Sequence, residues 1–62
     1  MRSADVIAAI TAAGWSLVRV KGSHHHFRHG FRPGIVTVPH PRKDIPKGTL
    51  RSIEEQSGCK LL

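Results

Sequence analysis

The sequence predicts a small α+β domain, a two-layer sandwich with the element order α-β-β-β-α. Three observations predict it. Apolar residues recur at helical spacing only near the two ends of the chain. Three extended runs lie between them, separated by Gly, Ser and Pro. The length of 62 residues allows one domain, residues 1–62, which buries only ~60% of the surface its unfolded form exposes. Both helices are expected on one face of a three-stranded antiparallel sheet, leaving the other face open.

The first helix is predicted over Ser3 to Gly14. Ser3 suits an N-cap and Asp5 suits the positive end of the helix dipole. Val6, Ile7, Ile10 and Ala13 share one face, and Gly14 suits the left-handed stop. Trp15 to Lys21 has the β-branched and aromatic content of a strand, with Trp15 placed to anchor helix to sheet. Gly22-Ser23 between two extended runs predicts a tight hairpin turn. In a second strand over His24 to His29, alternation puts His25, Phe27 and His29 on one face and His24, His26 and Arg28 on the other. Phe27 is the large apolar residue of this strand, so its face is expected to meet the core and the His24 face to stay open. Pro33-Gly34 marks a loop. Ile35 to Pro39 predicts the third strand, closed by Pro39. The His40 to Pro46 connection is basic and stiffened by proline. A second helix is expected from Pro46 or Lys47 to Ser57, carrying Leu50 and Ile53 inward, with Gly58 as its stop.

Composition narrows the function. Ten Lys and Arg face four Asp and Glu, a formal charge of +6. The sequence pI is about 10.9. The positive charge is concentrated mid-chain, at Arg19, Lys21, Arg28, Arg32, Arg42, Lys43 and Lys47, against Asp44 alone. Such a chain suits a polyanionic partner. Cys59 is the single cysteine, which excludes an internal disulfide and leads us to expect a reducing, cytoplasmic setting. No apolar run reaches the ~18 residues of a membrane span, and Ala4–Ala13 lacks the basic lead of a signal peptide.

All five histidines lie between positions 24 and 40. Histidine titrates near neutral pH, so this crowding points to acid-base chemistry, a metal site or a solvated basic strand. His24, His26, His29 and His40 could be metal ligands, yet strand alternation turns His24 and His29 to opposite faces, no Cys pair or Glu helps, and the dense positive charge opposes a dication. The scattered carboxylates do not suit a two-metal nuclease. Ser23 next to His24 in sequence does not aim one at the other as a Ser-His hydrolase requires. Metal-free RNA cleavage asks for less. The ribose 2′-OH is the nucleophile, and the protein supplies a base, cations and a close backbone. Histidine, with an ordinary pKa of ~6.5, suits the base and typically contributes ~10²–10⁴-fold. Gly22 lets the backbone approach, and Lys21, Arg28 and Lys47 can hold phosphate.

Four blocks in order, Lys21-Gly22-Ser23-His24-His25, Val36-Thr37-Val38-Pro39-His40-Pro41, Gly48-Thr49-Leu50-Arg51-Ser52-Ile53 and Gln56-Ser57-Gly58, resemble the HicA (YcfA-like) mRNA interferase toxins. The likeness covers about residues 3 to 58. It implies a double-stranded-RNA-binding-domain-like fold, metal-independent RNA cleavage without a cofactor, and neutralisation by a HicB antitoxin that covers the active surface. The family's functional histidine is the first after Gly-Ser, which here is His24, and the motif glycine is Gly22. His25 and His26 are not singled out by the family pattern, and His40 is read as bracing its loop. The expected RNA-contacting set is Lys21, Gly22, Ser23, His26, Arg28, Arg42, Lys43 and Lys47. The tail departs from the family's usual Gln-Ala-Gly in having Gln56-Ser57-Gly58-Cys59. Two alternatives stay open. One is a non-catalytic module that reads duplex RNA by shape through the same cations, for which His24 would matter little. The other is a metal-binding domain.

Overall fold

A computed structural model describes residues 1–62 and contains five elements: α1 (Ser3–Ala12), β1 (Trp15–Lys21), β2 (His24–His29), β3 (Val36–Pro39) and α2 (Lys47–Ser57). The sheet order is β1-β2-β3, antiparallel throughout, with β2 in the centre. Val6 and Ile10 of α1, Leu50 and Ile53 of α2, and Trp15, Phe27, Val36, Val38 and Ile45 form one buried cluster. No helix is long and apolar enough to cross a membrane.

Register decides which side chains face that cluster. Phe27 pairs with Leu17 and Val36, and His25 with Val20 and Val38, so these positions look toward the helices. His24 pairs with Lys21 and Pro39, and His26 with Arg19 and Thr37, so these look away. The expected division of the histidine run is therefore the one observed. β1 departs from regular alternation at one point. The register slips between Leu17 and Arg19, leaving an extra residue, Val18, in that strand. Regular alternation from Trp15 would turn Arg19 and Lys21 inward. The bulge reverses the phase and puts both on the open face.

The ends of the elements differ from expectation in three places. Ser3 is not the N-cap of α1. Arg2 holds that position, and Ser3 is the first helical residue, only 2% exposed. Its backbone N–H donates to Arg42 O, and its hydroxyl is drawn into tertiary bonds instead of capping. α1 also ends at Ala12, earlier than the predicted bound, with Ala13 as its C-cap and Gly14, at φ +101°, in the left-handed stop expected of it before β1. There is no room for a side chain at Gly14, since a Cβ would stand 2.7 Å from His29 Nε2. β3 begins at Val36, one residue late, because the ladder ends at the Phe27–Val36 pair and leaves Ile35 outside it, 43% exposed.

The C-terminal tail folds back on α2. Leu61 packs against the core, and the backbone N–H groups of Leu61 and Leu62 donate to Glu54 Oε2 at 2.6 and 2.9 Å. These bonds hold the Glu54 carboxyl below its ordinary 4.5, helped by Arg51 and Lys60. A depressed carboxyl stabilises the fold above its unfolded value and loses that contribution as the pH falls through the folded one. The parent protein should therefore lose part of its thermal stability as the pH is lowered below 4.5, and Glu54→Ala should lose less over the same interval. Identical pH dependence in thermal melts of the two proteins would contradict this account of the tail.

Candidate active site

The hairpin turn sets the site. Lys21 pairs with His24, so Gly22-Ser23 is a two-residue loop. Gly22 has φ +58° and Ser23 is not in the positive region, the pattern of a type II′ turn with glycine first. The turn carries His24 at the start of β2, and the open face beyond it forms a groove of about 600 Å³. Arg19, Lys21, Gly22, Ser23, His24 and His26 line it, with no apolar residue among them. His24 is exposed and neither of its ring nitrogens bonds the protein. His26 is half-buried, its Nδ1 2.9 Å from Thr37 Oγ1.

No carboxylate lines this groove or forms a salt bridge with its cations. Asp44 pairs with the Met1 ammonium at 3.4 Å, the one salt bridge of the molecule, and Glu54 serves the tail. Arg19 and Lys21 are thus unneutralised, and like charges in a concave surface concentrate a field that attracts anions.

The other three histidines have structural partners. His29 Nε2 lies 2.9 Å from Ala13 O, and its Nδ1 accepts from the backbone N–H groups of Phe31 and Arg32. Two donors at Nδ1 fix the Nε2–H tautomer, so His29 ties the end of α1 to the β2–β3 loop. His40 Nδ1 is 2.7 Å from Ser3 Oγ, which also accepts from Arg42 N–H. The backbone N–H of His40 donates to Ser23 O at 2.8 Å. His40 thereby joins the hairpin turn to the start of α1, the bracing role expected of it. His25 packs edge-on against His40, ring centroids 4.8 Å apart, with a buried Nδ1 that has no partner. No three His, Cys, Asp or Glu side chains form a group that could hold a metal ion.

The expected RNA-contacting residues do not fall into one site. Lys21, Gly22, Ser23 and His26 join His24 in the groove. Arg28 is exposed on the same face, two residues further along β2 and opposite Ser16. Arg42 and Lys43 line a separate cavity of about 340 Å³ with Arg2, Ser3, Ala4, His40 and Pro41. The backbone bond from His40 to Ser23 sets this cavity beside the hairpin tip. Lys47 begins α2 in the helical layer and lines neither. Arg32 is turned away altogether, its guanidinium over Gly58 at the negative end of α2. Arg19 is the groove residue that the sequence reading left out. Counting outward from the two-residue turn pairs Arg19 with His26, and that count was available in the sequence.

The family model for the HicA toxin of bacterial toxin-antitoxin systems matches residues 3–59. The chain belongs to the HicA toxin family. A solved chain from a HicA3 and HicB3 toxin-antitoxin complex is similar over the full length of both chains, with 33% identity and a TM-score of 0.79. No curated protein sequence matches. In this HicA fold the Lys21–His24 block forms the hairpin tip and the Val36–Pro41 block lies against it, so two sequence motifs separated by more than ten residues meet in one place.

Proposed function

We propose that the chain is the toxin of a HicAB pair, an endoribonuclease (mRNA interferase) that acts in the cytoplasm and cleaves RNA without a metal or other cofactor. The observation that carries this reading is the groove: an exposed histidine with both ring nitrogens free, among cations that no carboxylate neutralises. The ribose 2′-OH is the nucleophile and His24 takes its proton. Lys21 and the backbone at Gly22 and Ser23 meet the scissile phosphate, and Arg28 holds a phosphate further along β2. Arg42 and Lys43, beside the hairpin tip, and Lys47 hold flanking phosphates. Each such contact displaces condensed counterions, so binding weakens with salt.

A toxin with this surface needs restraint. The solved relative was captured with HicB3, and we infer a HicB-like antitoxin whose acidic side chains cover the groove and His24. The non-catalytic module would share the cations but leave RNA intact. The test is incubation of the purified chain with single-stranded RNA in EDTA, beside DNA of the same sequence. RNA should be cut and DNA, which lacks the 2′-OH, should survive. Intact RNA that is cut only on adding Mg²⁺, or equal cleavage of DNA, would contradict the proposal.

A further inference from the structure

We propose that His26 is the second proton-transfer group of the site, the general acid that protonates the departing 5′-oxygen. This rests on the reading of His24 as the base. Of five histidines, His25, His29 and His40 are spent on packing or structural bonds. His24 and His26 alone line the groove. They stand two residues apart on one face of β2, which sets their Cα atoms roughly 6.6–6.8 Å apart, so that two imidazoles can bracket one phosphate.

The partner of His26 suits an acid. Its Nδ1 is 2.9 Å from Thr37 Oγ1. A hydroxyl both donates and accepts. In the imidazolium, Nδ1–H donates to Oγ1 and Nε2–H is the proton to be given. Once Nε2 has lost it, the neutral ring keeps the same Nδ1–H bond to Thr37, so nothing need rearrange at the moment of transfer. Arg19 faces His26 from β1, Thr37 from β3, and His24, Arg28 and Lys21 share its face; no carboxylate is among them. The bound phosphate is then the counter-ion of the imidazolium.

The step balances. The 2′-O–H proton passes to the His24 imidazole as the 2′-O–P bond forms. The P–O5′ bond breaks, its electron pair stays on O5′, and O5′ takes the Nε2 proton of His26. The products are a 2′,3′-cyclic phosphate and a 5′-hydroxyl, with His24 protonated and His26 neutral.

The test uses an RNA with one bond that the parent cuts, made with either oxygen or sulfur at the 5′-bridging position. A thiolate is a far weaker base than an alkoxide (thiol pKa ~8.5), so it departs without an acid. On the oxygen RNA, His26→Ala and His24→Ala should each lose ~10²–10⁴-fold. On the sulfur RNA, His26→Ala should return to within about tenfold of the parent, while His24→Ala stays impaired. His26→Asn, which can keep a bond to Thr37 but cannot deliver a proton, should behave as His26→Ala does and controls for folding. Full activity of either His26 variant on the oxygen RNA would overturn the proposal. So would an equal loss on both RNAs, which would make His26 a binding or positioning residue. An unimpaired His24→Ala would instead remove the reading on which this rests, whatever His26 does.

Discussion

Replacing His24 by alanine should lower RNA cleavage by ~10²–10⁴-fold, the range for loss of a positioned proton acceptor. The fold should be untouched. The side chain is exposed, makes no bond to the protein, and sits outside the buried cluster. Surface changes of that kind usually stay within about 0.5 kcal/mol. RNA affinity should also change little, because Arg19, Lys21 and Arg28 remain. The measurements are single-turnover cleavage, a thermal melt and an RNA-binding titration on the same preparation. Equal cleavage by variant and parent, at equal stability, would remove His24 from the chemistry.

Trp15→Ala should have the largest effect on stability. Trp15 is 1% exposed, follows Gly14 at the start of β1, and donates its indole N–H to Ser57 O at the end of α2, 3.2 Å away. One side chain therefore joins the sheet to both helices. Removing a buried ring of this size costs about 3–5 kcal/mol. A chain of this length has roughly 3–9 kcal/mol of stability in all, by the usual share per residue. Trp15→Ala should thus be largely unfolded at 37 °C or close to it. Trp15→Phe keeps most of the packing and loses the bond to Ser57 O, so it should cost less, on the order of 1–3 kcal/mol. Urea titrations separate the two. A midpoint for Trp15→Ala within experimental error of the parent would mean that Trp15 does not clamp the layers.

The sequence read well where local chemistry decides structure. β1, the hairpin turn, β2 and α2 all fall where Gly, Ser and Pro punctuate the chain. The open face of β2 followed from one large apolar residue, Phe27, and a period of two. Tertiary partners could not be read in the same way. Ser3 looks like an N-cap until His40 and Arg42 arrive from 37 and 39 residues away and take its hydroxyl. The Val18 bulge is a property of two strands together, since it exists only when β1 is laid against β2. Alternation carried forward from Trp15 therefore turns Arg19 inward, whereas counting back from the hairpin turn sets it opposite His26. Charge marks Arg42, Lys43 and Lys47 as candidate phosphate contacts, but charge says nothing about where a side chain ends up. Arg32 is the clearest instance: it carries the same charge as Arg28 and lies over Gly58.

The chemistry of the cut ends tests the central claim most directly. If the 2′-OH attacks with histidine alone moving protons, RNA cut by the protein in EDTA should carry a 2′,3′-cyclic phosphate on one fragment and a 5′-hydroxyl on the other. Fragments ending in a 3′-hydroxyl and a 5′-phosphate would mean that water, not the ribose, attacks the phosphorus, and would contradict the account.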